Sequence, residues 1–208
     1  MAGVDESIVR EYFEMNGFLV RQMRKYQVIS RAKRDEEQID LLVFNPTFAE
    51  GARKPNFLLF SSELPFVHRA VVAVKAWHSQ KLTPSTLRGS SDIFKFLEKD
   101  VLKQADTLFA SGAADEAREE IGHFTKILVI PSLPSHEPHK SQSIEMLRDA
   151  GVDGIVTFRS MLQDIIGKVE INHSYTKSDI LQVLRILKNY DLLKSPQMEL
   201  FGAGKGKL

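Results

Sequence analysis

Cysteine is absent from the 208-residue chain, and only one tryptophan is present. The lack of cysteine excludes disulfides and thiolate metal sites, and it fits the reducing cytosol. The chain contains no run of 18 apolar residues, and its first residues lack the basic and apolar regions of a signal peptide. We therefore expect a soluble, cytoplasmic protein with no membrane segment.

An excess of charge of one sign is also lacking, because 28 lysines and arginines face 27 acidic residues. Overall charge thus neither favours nor excludes a polyanionic partner, and a nucleic-acid surface would need a local cluster. Residues 21–34 hold six basic side chains in fourteen positions. They are either contacts for DNA phosphates or a solvated strand edge before an acidic turn. The candidate phosphate contacts are Arg21, Arg24, Lys25, Arg31 and Arg34.

Apolar periodicity predicts alternating helices and strands. A helix from Asp5 to about Asn16 precedes strands in residues 18–29, 38–44, 57–62 and 69–78. A helix within 82–112, a strand within 124–134, and a helix and short strand within 143–158 follow. This order predicts an α/β fold with a mixed sheet.

The C-terminal part has a different pattern. Residues 1–159 are predicted to form the main domain, residues 160–194 a helical extension, and residues 195–208 a flexible tail. In the extension, Thr176 and Asp179 have the spacing of a capping box.

Two charged residues interrupt predicted apolar strands. Lys75 follows a run of valines, and strand alternation puts it on one face with Ala73 and Trp77. Burying its ammonium group is costly unless an anion compensates it. Asp40, inside another apolar strand, could supply that anion. The pair could also be a salt bridge with no further function.

A third charged residue can join them. Glu6 lies beside the Val9 and Phe13 stripe of the first helix, whereas Glu11 and Glu14 are expected to point further away.

The chain resembles the PD-(D/E)XK nuclease superfamily in the order of four features. They are a helix glutamate, a Gly-Phe pair, a strand aspartate and a strand ending in x-x-Lys. The resemblance is particularly to archaeal Holliday-junction resolvases and Mrr-like endonucleases, and it covers about residues 5–160 in the order of elements. The resemblance implies a restriction-endonuclease-like sandwich with a central mixed sheet flanked by helices, here with a C-terminal helical appendix. It also implies a Mg²⁺- or Mn²⁺-dependent deoxyribonuclease that acts on DNA, and it suggests a homodimer.

The resemblance also implies roles for the three charged residues. Asp40 would bind the metal, Lys75 would orient the attacking water and steady the phosphate, and Glu6 would complete the site. This set suits Mg²⁺, which is commonly held by one or two carboxylates plus phosphate oxygens.

Position 73 departs from that pattern. Where the superfamily has an acidic residue two positions before the lysine, this chain has Ala73, whose methyl group cannot bind a cation. The chain is either a natural pseudonuclease that binds DNA without cutting it, or it carries an inactivating Glu-to-Ala replacement. We favour the replacement, because Asp40, Lys75 and Glu6 all persist.

Two further segments offer partner contacts. Trp77 and Lys81 follow Lys75 and could contact DNA, although a lone tryptophan is more often part of a core. Residues 197–201 resemble the peptide by which bacterial repair proteins dock on the replication sliding clamp. In that resemblance, Gln197 is the polar anchor, and Leu200 and Phe201 fill an apolar pocket. The alternative is that these apolar residues fold back onto the helices.

We therefore expect a metal-dependent DNA nuclease of repair or replication that is specific for DNA structure. With Ala73 in place of an acidic residue, we expect it to be inactive. The alternative is a non-catalytic DNA-binding or clamp-adaptor module on a nuclease scaffold. A third alternative is a role in restriction or anti-phage defence, with the same nuclease chemistry.

Overall fold

The computed structural model describes residues 3–22, 40–51, 53–76, 83, 86–87, 90–103, 109 and 123–193. The helices there are α1 (Gly3–Met15), α2 (Ser90–Phe96), α3 (His139–Asp149), α4 (Phe158–Lys168) and α5 (Asp179–Asn189). The strands are β1 (Leu19–Gln22), β2 (Leu41–Phe44), β3 (Arg69–Val74), β4 (Thr125–Ile130) and β5 (Gly154–Thr157). A 3₁₀ turn spans Leu64–Phe66, and a π-helical turn, Leu97–Val101, continues α2.

The five strands form one mixed sheet in the order β1-β2-β3-β4-β5. The first three strands are antiparallel, and β3, β4 and β5 are parallel. The ends of β1, β3, β4 and β5 and the start of β2 therefore lie at the same edge of the sheet. The α/β class and the mixed sheet predicted from the sequence are confirmed.

Strand alternation divides the core into two apolar clusters, one on each face of the sheet. In β3, Ala70 and Val72 face the cluster that contains α1 and α4, which we call the first cluster. Val71 and Ala73 face the cluster that contains α2 and α3, the second cluster. The near-continuous apolar run in β3 follows from this burial on both faces.

Glycine ends α1. Gly17 has a φ of +84°, and the Phe18 amide donates to the Phe13 carbonyl at 3.0 Å. The Gly17 amide donates to the Glu14 carbonyl, so the helix ends in a Schellman motif. The rings of Phe13 and Phe18 meet edge-to-face at 5.4 Å, which directs the chain into β1.

The helices after residue 159 contribute to the first cluster. Met161, Ile165, Val169 and Leu181 are buried in it. The N-cap of α5 is Ser178, whose hydroxyl accepts a bond from the Leu181 amide at 3.3 Å, so the predicted Thr176 capping box is wrong. The domain boundaries stay a prediction.

Two predicted strands are shorter than expected. Segment 57–62 forms only a bridge, in which Leu58 pairs in parallel with Ile155 beside β5. The predicted strand 69–78 ends its ladder at Val74, so Lys75 lies just beyond β3. In the described ranges, no helix is long and apolar enough to cross a bilayer.

Candidate functional site

Asp40 lies directly before β2, and it is 4 % exposed. Its amide donates to the Val72 carbonyl at 2.9 Å, although Leu41 is the register partner of Val72. Its carboxylate Oδ2 accepts a bond from the Val74 amide at 2.6 Å. The side chain thus takes the place of a backbone carbonyl at the end of β3. Asp40 is thereby held against the backbone directly before Lys75.

Lys75 is half-buried at the same edge of the sheet. Its amide donates to the Val129 carbonyl at 2.8 Å, so the parallel β3–β4 ladder fixes its backbone one residue past the strand. This position explains how a lysine follows an apolar strand: its backbone amide is held by β4, and the residue lies past the last register pair of β3. A long lysine stem can cover apolar surface while its ammonium reaches toward solvent.

Ala73 is fully buried, at 0 % exposure, in the second cluster. Its register partner Leu128 and another member of this cluster, Leu97, are also 0 % exposed. A carboxylate at position 73 would enter this apolar packing unless it turned toward the sheet edge, and an unpaired buried charge is costly. The present surroundings of residue 73 suit a methyl group.

Glu6 reaches the sheet from α1, which covers the first-cluster face. Its Oε2 accepts a bond from the Gln22 side chain at 2.9 Å. Gln22 ends β1 and is the register partner of Leu41, the residue after Asp40. Glu6 and Asp40 therefore approach the same edge of the sheet, whereas Ala73 points into the opposite face from α1.

The donor set fits a divalent cation only in part. Asp40 supplies a carboxylate at the edge of the sheet, and Mg²⁺ accepts one or two carboxylates together with phosphate oxygens. Among the described residues, no group of three histidines or carboxylates is arranged to hold a metal.

Most predicted DNA contacts lie outside the described residues. They are Arg24, Lys25, Arg31, Arg34, Trp77 and Lys81. Arg21 is described: it is exposed on β1, where Leu42 is its register partner. Gln197, Leu200 and Phe201 of the tail also lie outside the described residues.

A small cavity opens at the same edge of the sheet, beyond the ends of β4 and β5. It has a volume of about 200 Å³. Its walls are mainly apolar, and Phe60 at its side is 54 % exposed. Sequence reasoning missed this cavity because its walls come from four separate segments. The lining residues are Leu58, Leu59, Phe60, Ser132, Leu133, Pro134, Lys140, Ile155, Thr157 and Ser160.

Glu11 also differs from expectation. Its residue is 5 % exposed, and its carboxylate lies 3.2 Å from the guanidinium of Arg10. Glu11 is thus buried, whereas the sequence predicted only that it lies further than Glu6 from the Val9 and Phe13 stripe. Burial is the main reason that the pKa of the neighbouring Glu14 is raised. These acids line a depression of about 430 Å³ between α1 and segment 173–178.

A second acidic residue with a strong partner escaped the sequence reasoning. Glu63 accepts two bonds from the Arg53 guanidinium, at 2.8 and 2.9 Å, and one from the Asn56 amide at 2.8 Å. The bonds from Arg53, and then the one from Asn56, lower the pKa of Glu63 to about 2. Arg53 also stacks over the Phe66 ring at 3.9 Å, so this group fixes the loop before β3.

Comparisons with known proteins add no relative: no protein-family model, no curated protein and no solved structure matches the chain.

Proposed function

We propose that the chain has the architecture of a metal-dependent DNA nuclease of repair or replication, and that Ala73 makes it catalytically inactive. The observation that carries this proposal is the 2.6 Å bond from the Val74 amide to Asp40, because it holds a carboxylate beside the segment that bears Lys75. The element order, with three antiparallel strands followed by two parallel ones, also fits the expected nuclease-like sheet.

The proposed roles are those that the family resemblance implies. Lys75 supplies a positive charge at the open edge, where a DNA phosphate would approach. Asp40 is the carboxylate best placed to hold Mg²⁺ or Mn²⁺ there, and Glu6 is held near the same edge by Gln22. A bound Mg²⁺ would polarise the phosphate and lower the pKa of an attacking water.

The second candidate is a DNA-binding module that never cuts. It is favoured by the full burial of Ala73 in the second cluster, because an alanine suits this apolar packing and a glutamate would fit only by turning toward the sheet edge. In this case Asp40 has mainly a structural function and Lys75 contributes to DNA affinity alone.

An Ala73→Glu variant separates the two candidates, with Ala73→Gln as a control of similar size and no charge. We expect Ala73→Glu to cut branched or flapped DNA in Mg²⁺ or Mn²⁺, and Ala73→Gln to cut none. Adding Lys75→Gln to Ala73→Glu should reduce the cutting rate at least 100-fold. The panel of substrates is flaps, splayed arms, nicks, mismatches and four-way junctions.

Folding and DNA affinity are measured on the same preparations. A folded Ala73→Glu variant that binds these substrates without cutting them contradicts the nuclease proposal and supports the non-catalytic module. Unfolding of Ala73→Glu with a folded Ala73→Gln also supports the module, because it shows that the site rejects a charge.

The sliding clamp remains a proposed partner of the tail, through Gln197, Leu200 and Phe201. The sequence resemblance of residues 197–201 supports it. Deletion of residues 197–208 should abolish clamp binding and leave DNA affinity unchanged, and unchanged clamp affinity would refute the proposal.

A further inference from the structure

The cavity beyond β4 and β5 is aligned with the candidate site. Val74 pairs with Val129, and Ile130 pairs with Thr157, so Lys75 and Thr157 lie in nearly the same row of the sheet. Two strand spacings separate them, which is about 10 Å. A DNA strand advances about 3.4 Å per nucleotide along a duplex axis, so this distance is about three nucleotides.

The size of the cavity limits its occupant. About 200 Å³ is less than the 300–1,000 Å³ of clefts that hold drug-sized ligands. A single planar ring system fits this space, and an intact base pair does not. A base can enter only if it is unpaired or has left the helical stack.

The chemistry of the walls suits a base with its phosphate. Leu133 and Pro134 supply apolar surface, and the exposed ring of Phe60 is available for stacking. Stacking on an aromatic ring tolerates any base, because every base has a π-face.

Lys140 adds the positive charge that a phosphate requires. It lies in the first turn of α3 and lines the cavity. The carboxylate nearest to it in sequence, Glu137, is bound by the Ser141 amide and hydroxyl. Lys140 also contributes to lowering the pKa of Glu137 through a Coulombic interaction, but it lies in none of the ion pairs among the described residues.

We propose that this cavity binds one unpaired base of single-stranded DNA, with the base stacked on Phe60 and its phosphate near Lys140. This inference rests on the proposed function, since it names the substrate class of the same edge of the sheet. Binding of an unpaired base in this cavity would favour DNA with a flap, gap or open junction over continuous duplex.

The test measures binding of the full chain to a fluorescein-labelled 15-nucleotide single strand and to the matching duplex, by fluorescence anisotropy. Phe60→Ala should weaken single-strand binding about 10-fold, which is within the range for loss of one base–aromatic stack. Lys140→Gln should weaken it about 3- to 10-fold. Duplex affinity should change less than two-fold in both variants.

Matched controls lie in segment 177–190, which supplies no residue to the walls of the cavity. Tyr190→Ala removes an aromatic ring that is 74 % exposed, and Lys177→Gln removes an exposed cation. Neither should change single-strand affinity more than two-fold. A thermal unfolding curve for each variant establishes that it folds.

An abasic nucleotide moved along the single strand identifies the stacked base. At one position it should weaken binding to the unsubstituted chain about 10-fold, and Phe60→Ala should remove that penalty. Equal losses on single strand and duplex, or no difference from the controls, would overturn the cavity proposal and leave the proposed function standing. Failure of the unsubstituted chain to bind either DNA would overturn both.

Discussion

Asp40 shows at the scale of a residue how one side chain can have a structural and a chemical role. The same carboxylate that ends the β2–β3 ladder is the best candidate ligand for a cation. Sequence reasoning singled out Asp40 because it interrupts an apolar strand. The bond to the Val74 amide could not be predicted, because it depends on where the ladder between β2 and β3 ends.

Replacing Asp40 separates these roles. Asp40→Ala leaves the Val74 amide without its acceptor, so we expect a loss of about 1–3 kcal/mol in the free energy of unfolding. Asp40→Asn retains an acceptor oxygen and should lose less than about 1 kcal/mol. Urea denaturation measures both values.

Asp153 provides the control for Asp40. It accepts a bond from the Lys126 amide at 2.8 Å, but it is exposed, so water can replace it. Asp153→Ala should therefore cost less than Asp40→Ala. Equal costs for the two alanine variants would argue against a special structural role for Asp40.

Glu63 makes the stability depend on pH. Its pKa is lowered from 4.5 to about 2 in the folded state by bonds from Arg53 and Asn56. Because the pKa of Glu63 is lower in the folded state, the unfolded state binds more protons between about pH 2 and pH 4.5. The free energy of unfolding therefore falls as the pH falls through this range. The contribution is complete above about pH 4.5 and is lost once the pH is below about 2.

A Glu63→Gln variant tests this dependence. Denaturation of the unmodified chain should show a decline in stability below pH 4.5 that is shallower in Glu63→Gln. Parallel pH profiles for the two proteins would show that the Arg53 pair does not set this dependence. A Glu137→Gln variant serves as a comparison and not as a neutral control, because bonds from Ser141 also lower the pKa of Glu137.

At the scale of elements, the short segment beside β5 depends on a glycine. A Cβ atom built at Gly154 would lie 2.7 Å from Cδ1 of Leu59, which is 2 % exposed in the first cluster. Gly154→Ala should therefore destabilise the fold by about 1–3 kcal/mol through overpacking.

Gly167 is the matched control for Gly154. It lies near the end of α4, and a Cβ atom there would meet nothing within 4 Å. Gly167→Ala should stabilise the fold by about 0.4–1 kcal/mol. Thermal or urea unfolding of both variants checks this contrast, and a neutral Gly154→Ala would mean that Leu59 can move away.

The elements also show which sequence signals are reliable. Alternation in β3 and the apolar spacing of Val9 and Phe13 predicted buried faces correctly, because burial repeats with the period of the element. Segment 57–62 has the composition of a strand, yet it forms one bridge with β5. Its pairing depends on a partner almost 100 residues later, which local pattern does not encode.

At the scale of the whole molecule, the mixed sheet could be predicted from the order of its elements. The candidate site could be predicted only in part. Asp40 and Lys75 lie at the same edge of the sheet because β2 and β3 are antiparallel neighbours. Glu6 lies near the same edge, on the face covered by α1, where its side chain accepts a hydrogen bond from Gln22. These two residues are 16 positions apart, and no sequence motif indicates their contact.

The central claim is that Asp40 and Lys75 form one cation- and phosphate-binding edge. Paramagnetic line broadening by Mn²⁺ in an ¹⁵N-labelled chain tests it most directly. We predict that the amide signals of Asp40, Val74 and Lys75 broaden first, and that Asp40→Asn removes this selectivity. Broadening that begins at Glu11 and Glu14 of α1, or none at millimolar Mn²⁺, would contradict the account.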